Sequence, residues 1–190
     1  HLGIICGTGW ASLDQSVVAY DPDSVVVEAM KAENPPIHEP GLLEALGQWK
    51  SRLSYTSDPS ALRECPLIVV AKDVPTDGDN VSSLKPIEEM FDRIVPHASN
   101  GVTFVLMSQV SPGFTRNLRE RIRKARPELS FELFYQVETL IFGNALERYL
   151  KQERIILGCH DPKAPLPELL ERGLKRFNCP ILPMRYESAE

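Results

Sequence analysis

The chain has 190 residues, a net charge of −5 and a sequence pI of about 5.5, which suits one α/β domain or one with a small extension. Its 43% hydrophobic and 25% charged residues support an ordinary globular core. The acidic balance leaves no basic excess to neutralise phosphates, which argues against nucleic acid as a partner, and no apolar run approaches the roughly 18 residues of a membrane span.

The opening stretch, HLGIICGTGWASLDQSVVAYD, parses in two ways. In one, residues 1–5 form a strand and Gly7-Thr-Gly9 begins a phosphate-binding turn. In the other, Gly3 is the last glycine of a G-x-G-x-x-G turn, residues 2–14 are helix, and residues 16–21 are a strand ending in Asp21. Spacing favours the second. The acid of a dinucleotide-binding unit sits about 20 residues beyond the glycines, because a helix, a turn and a strand must fit between. Gly7 to Asp21 is 14 residues, whereas Gly3 to Asp21 is 18. On this parse the first strand and the first two glycines lie upstream of residue 1. Gly7 and Gly9 then sit inside a helix at about 1 kcal/mol each relative to alanine, a cost that close approach of the helix to the sheet would offset.

Pro22 and Asp23 open a helix to about Ala32, with Asp23 as its N-terminal acid. Residues 34–41 form a rigid, proline-rich loop, 42–50 a helix, 52–58 a short strand and turn, and 59–64 a short helix. PLIVVAK (66–72) is a continuous β-branched run and predicts a buried parallel strand. A loop over 73–80 leads to a helix over 83–98, a buried strand over 101–108, and a helix over 113–126 with Pro112 near its first turn. Strands follow at 131–136, 154–158 and 180–184, with helices at 144–151 and 167–177.

Strands alternate with helices throughout, so the predicted fold is α/β: a doubly wound parallel sheet, Rossmann-like, with its first strand missing from the chain. Removing a central strand predicts marginal stability and exposed apolar edges. Ligands of such sheets gather at the carboxyl ends of strands, which singles out Asp21, Asp73 to Thr76, Ser108, Gln109 and Glu138. Arg116, Arg119, Arg121, Arg123, Lys124 and Arg126 cluster at helical spacing and predict a solvated helix face. Cys6, Cys65, Cys159 and Cys179 lie far apart without a C-x-x-C pair, and the four histidines are scattered. This pattern predicts reduced, mostly buried thiols in a cytoplasmic protein, and neither a disulfide framework nor a metal site.

Five collinear stretches resemble the UDP-glucose/GDP-mannose dehydrogenase family. They are HLG with Asp21 18 residues beyond its glycine, PPIHEPGL (35–42), VVAKDVPTD (69–77), SQVSPGFTR (108–116) and YQVETLIFGNAL (135–146). The final YESAE is similar to the family's segment just ahead of its catalytic lysine and asparagine. The likeness covers essentially the whole chain.

The resemblance implies that residues 1–190 are an NAD-binding domain truncated at both ends, without the family's central helix and C-terminal nucleotide-sugar domain. It implies NAD as cofactor, a nucleotide sugar such as UDP-glucose as partner, and a homo-oligomer formed through the central helix. Family enzymes oxidise the sugar C6 alcohol to the carboxylate with two NAD⁺. Carried over residue by residue, Gly3 would let the helix approach the pyrophosphate. Asp21 would accept hydrogen bonds from the adenosine ribose and repel a 2′-phosphate. Asp73, Val74, Pro75 and Thr76 would line the adenosine side of the cleft, and Ser108 and Gln109 would sit near the nicotinamide ribose. Glu138 would handle the proton of the water that hydrolyses the thioester. Glu39 reads as a helix brace rather than a ligand contact.

The chain departs from the family pattern at Val74 (threonine), Val137 (proline), Phe142 (a second acid that contacts the cofactor) and Val26 (a basic residue for the ribose). None of the four cysteines has the context of the family's nucleophile, which belongs to a later domain. Two further readings stay open: a non-catalytic or decayed nucleotide-binding module, and another Rossmann oxidoreductase such as a hydroxy-acid dehydrogenase.

Overall fold

The computed structural model describes residues 1–190 except Thr76, Asp77, Asp79, Asn80 and Val81. The chain opens in a helix, α1 (Leu2–Ser12), with no strand over residues 1–5. This helix is apolar almost all round, and Leu2, Ile5, Cys6, Thr8, Gly9, Trp10 and Ala11 are buried. A helix with no polar stripe has to be covered on every side. Neighbours on several sides cover it: β1 (Val17–Tyr20), α3 (Leu42–Gln48), β2 (Leu53–Thr56) and α6 (Ala145–Leu150). Between β1 and α3 runs α2 (Ser24–Lys31), whose start is fixed by the Asp23 carboxylate accepting from Val25 N–H at 2.8 Å. Pro59–Glu64 is a 3₁₀ turn capped in the same way by Asp58.

The remaining elements are β3 (Leu67–Val70), α4 (Lys85–Ile94), β4 (Val102–Leu106), α5 (Phe114–Ala125), β5 (Phe131–Gln136), β6 (Ile155–Cys159), α7 (Glu168–Lys175), β7 (Ile181–Arg185) and a single turn, α8 (Tyr186–Ala189). The helix at α8 has no counterpart in the sequence reading. Its four residues are too few to carry a periodic signal.

Alternation along the inner strands sorts the core into two layers. In β4 and just beyond it, Val102, Phe104 and Leu106 join Ile87, Phe91, Leu118 and Ile122 on one face. Val105 and Met107 join Ile5, Trp10, Leu146, Tyr149, Leu170 and Leu174 on the other. Helices therefore cover both faces of the sheet, α4 and α5 on one side, α1, α6 and α7 on the other. That is the doubly wound arrangement, and it explains why β4 reads as a continuous apolar run.

Among the described residues the strands form two groups, β1 with β2 and the series β3-β4-β5-β6-β7. All pairings are parallel except β5 with β6, which is antiparallel over Tyr135↔Gly158 and Gln136↔Leu157. The reason lies in the connection. α6 has six residues, a rise of only about 9 Å, so the chain re-enters the sheet from the carboxyl end of β5. β1 and β3 do not pair. Between them lies a cavity of about 850 Å³ reached by both strands.

The arginine cluster is only partly a solvated face. On α5, Arg116 binds Glu187 through two nitrogens at 2.5 and 3.0 Å, and Arg121 binds Asp92 at 2.6 Å. Arg119 instead points inward and is 6% exposed, with Nε and Nη1 lacking hydrogen-bond partners. Position alone assigned it to the surface, but the α5 face it shares with Thr115 and Ile122 is the buried one.

Candidate functional site

The amino end of α1 meets the carboxyl ends of β1 and β3 at the mouth of the cavity. His1, Gly3, Asp21, Lys72 and Asp73 all line it. Gly3 is where the helix comes closest to the sheet: a Cβ there would lie 3.2 Å from the Ala71 carbonyl oxygen. This close helix–strand contact is what the last glycine of a dinucleotide turn provides. Asp21 follows β1, its N–H donating to the Thr56 carbonyl at 3.2 Å and its carboxylate accepting from Asp23 N–H at 2.9 Å. One oxygen of the Asp21 carboxylate is thus committed, and Asp21 remains half-buried at the cavity edge.

Asp73 sets its carboxylate against the first turn of α1. It accepts from Leu2 N–H at 3.3 Å. Unpaired N–H groups and the helix dipole favour an anion at that point, and Asp73 supplies one. Glu39 is a second carboxylate at the same corner, with 2% of its side chain exposed. It accepts from His1 Nε2 at 2.9 Å, Gly143 N–H at 3.0 Å and Ala145 N–H at 3.1 Å. Glu39 therefore caps α6 and ties the 34–41 loop to the loop after β5, the bracing role expected from its sequence context.

The other predicted residues are spread along this rim. Val74 packs against the core cluster beneath α4, and Pro75 is exposed, its carbonyl accepting from Ser83 N–H at 3.0 Å. Thr76 lies outside the described residues. Ser108 is buried at 1% exposure, and its hydroxyl accepts from Lys72 N–H at 3.0 Å, joining the ends of β3 and β4. Gln109 is exposed. Val26 lines the cavity, while Phe142 is 83% exposed and its ring lies 4.7 Å from that of His1.

Glu138 is half-buried on the loop after β5, its carboxylate accepting from Leu140 N–H. Burial, and after it the charge of Asp73, pushes its carboxyl up to about 7. A carboxyl poised there exchanges a proton near neutral pH. Behind it is a cavity of about 10 Å³ bordered by Gln136, Arg148 and Gln152. Gln136 Nε2 and Arg148 Nε are buried without partners, and such a space is near the minimum for one water. Gln136 gave no signal in the sequence because it ends an apolar strand.

No cysteine is set up as a nucleophile. Cys6 is buried beneath the site, 3.2 Å from the Tyr149 hydroxyl and 3.7 Å from Met107 Sδ, and burial pushes its thiol up to about 11. Burial also raises Cys65, Cys159 and Cys179. Among the described residues no three His, Cys, Asp or Glu side chains gather as a metal site, and no helix is long and apolar enough to cross a membrane.

One contact at the far side escaped the sequence reading. The Glu190 carboxylate accepts from Gly113 N–H at 2.6 Å and Thr115 N–H at 2.7 Å, capping α5 from 75 residues or more away in sequence. Local capping patterns carry no trace of such a long-range cap.

The sequence profile of the UDP-glucose/GDP-mannose dehydrogenase family, NAD binding domain, matches residues 1–177. A UDP-glucose 6-dehydrogenase of Bacillus subtilis, TuaD, is 27% identical over 194 residues, covering all of this chain and 42% of that protein. A UDP-glucose dehydrogenase structure from Pyrobaculum islandicum superposes with a TM-score of 0.85 at 28% identity, over all of this chain and 45% of that one. A GDP-mannose dehydrogenase structure from Pseudomonas aeruginosa gives a TM-score of 0.89 at 24% identity over 99% of this chain, a likeness of fold. The chain spans less than half the length of these relatives. With the match running from α1 through α7, the chain belongs to the UDP-glucose/GDP-mannose dehydrogenase family, as its NAD-binding domain.

Proposed function

We propose that the chain is the NAD-binding part of a nucleotide-sugar dehydrogenase of the UDP-glucose 6-dehydrogenase kind, which oxidises the sugar C6 alcohol to the carboxylate. The observation that carries this reading is the contact of Gly3 with Ala71 at the mouth shared by Asp21, inside a domain whose family match runs over residues 1–177. The site residues fit the cofactor in chemistry. The first turn of α1 favours an anion, and Asp21 offers a carboxylate to a ribose diol and repels a 2′-phosphate. NAD⁺ held there supplies the hydride acceptor. Asp73 holds the first turn of α1 and must give way to a pyrophosphate, because two anions compete for one helix end. Ser108 fixes the ends of β3 and β4, Val74 and Pro75 shape the adenosine side, and exposed Gln109 is free to reach the nicotinamide ribose.

Glu138 is assigned the proton transfers, because a carboxyl near 7 both accepts and releases a proton at neutral pH. The raised thiols of all four cysteines support a nucleophile from outside residues 1–190, with the sugar-binding domain and the oligomer contacts supplied there too, in the cytoplasm. Exposed Phe142 and half-buried Val74, where the family carries polar groups, favour one second reading: a nucleotide-binding module that has lost the chemistry. The test is a titration of the full-length protein, sugar-binding domain included, with NAD⁺, followed by addition of UDP-glucose and measurement of NADH. Saturable binding with NADH formation supports the dehydrogenase, binding without NADH supports the module, and a folded protein that binds no NAD⁺ contradicts both.

A further inference from the structure

The small cavity behind Glu138, about 10 Å³, is bordered by Met107 after β4, by residues 136–140, and by Arg148, Tyr149 and Gln152 on or just after α6. Two of these residues carry buried donors with nothing to donate to. Gln136 ends β5 on the face of Phe134, the face that packs against α1 and α6. That placement leaves Gln136 1% exposed, and its Nε2 has no partner. Arg148 turns Nη1 toward Glu153 at 4.0 Å, and its buried Nε has no partner. Gln152 is already committed, its Nε2 donating to the Tyr149 carbonyl at 3.0 Å. A buried donor left unpaired carries its full desolvation cost, so two at one cavity call for a shared acceptor.

The chemistry of the wall identifies the occupant. Arg148 Nε–H can only donate, so the occupant must accept. The Glu138 carboxylate accepts from Leu140 N–H through one oxygen, and its other oxygen has no partner among the described residues. Ionised, it can only accept, so the occupant must also donate. An anion such as chloride accepts without donating, and would face the carboxylates of Glu138 and Asp73. A space of about 10 Å³ admits one water and nothing larger. We propose that this cavity holds one internal water, accepting from Gln136 Nε2 and Arg148 Nε and donating to the second oxygen of Glu138, and that Gln136 is thereby a positioning residue for the Glu138 proton. A donor to the ionised form favours that form. The other groups facing Glu138 are Asp73 after β3, Tyr135 on β5, and Tyr149 and Arg148 on α6. Burial and Asp73 oppose ionisation of Glu138, and both tyrosines are held neutral by their own burial. The water works against burial and Asp73, and keeps Glu138 able to release its proton near neutral pH. The catalytic bearing rests on the proton-transfer role proposed for Glu138; the water and the titration do not.

The experiment takes the full-length protein and two variants. Gln136→Met keeps the side-chain length but removes the amide. Arg148→Lys keeps the charge, at a half-buried position that tolerates change, but removes Nε–H. Diffraction reads whether the cavity holds a water. The infrared band of the protonated Glu138 carboxyl, assigned by its loss in Glu138→Gln, is followed against pH. The expected result is a water in the wild type, none in either variant, and a Glu138 midpoint raised in both by about one pH unit, a tenfold gain in proton affinity. A dry cavity in the wild type overturns the proposal, as does a water retained, or a midpoint unchanged or lowered, in either folded variant. Neither readout needs NADH formation, so a protein that fails as a dehydrogenase can still hold this water, and a working dehydrogenase can lack it.

Discussion

At the scale of single residues, the site is governed by where carboxylates are placed. Four of them, Asp21, Glu39, Asp73 and Glu138, meet backbone N–H groups at helix starts or in the loop after β5. Of the carboxylates at the site, Glu138 has a consequence for stability that can be signed. Its carboxyl is held at about 7 against an ordinary value of 4.5, because burial and the charge of Asp73 disfavour the ionised form. The folded state therefore binds this proton more tightly than the unfolded chain does. The resulting stabilisation is complete below about 4.5 and is lost as pH rises through about 7. Thermal melts of the wild type should fall in midpoint across that window by more than those of Glu138→Gln, whose side chain stays neutral. Parallel curves for the two proteins would show that Glu138 titrates normally.

At the scale of elements, α1 decides how the amino-terminal part of the chain folds. Its two interior glycines look alike in sequence and differ in the fold. At Gly7 an added Cβ would sit 3.8 Å from Val17 Cγ1, an ordinary contact. At Gly9 it would run into the ring of Tyr149, which is fully buried on α6. Gly7→Ala should therefore stabilise the chain by up to about 1 kcal/mol through helix propensity. Gly9→Ala should destabilise it by about 1–3 kcal/mol through overpacking. Urea unfolding of the two variants checks this, and equal shifts of the same sign would refute it. The helix itself was legible from the 18-residue spacing of Gly3 and Asp21, and the absence of strand over residues 1–5 agrees with that register. The partner of Gly9 was not, because sequence periodicity gives the buried face of a helix and not what lies against it. The expected approach of α1 to the sheet is made at Gly3, while Gly9 approaches a helix.

At the scale of the whole molecule, apolar runs and their alternation with helices carried the α/β class and the two covered faces of the sheet. They did not carry the reversed direction of β6, which depends on how short α6 is, nor the cap that Glu190 places on α5 across the fold. The position of Gly3 and Asp21 at the cavity mouth follows from their spacing, whereas the burial of Ser108 and the inward turn of Arg119 left no mark in the sequence. The central claim is that the mouth formed by α1, β1 and β3 selects NAD through Asp21. A calorimetric titration of wild type and Asp21→Asn with NAD⁺ and NADP⁺ tests it most directly. The account predicts that the wild type prefers NAD⁺ over NADP⁺ and that Asp21→Asn weakens NAD⁺ binding and narrows the preference. Equal affinity of the wild type for the two cofactors, or an unchanged preference in Asp21→Asn, would contradict it.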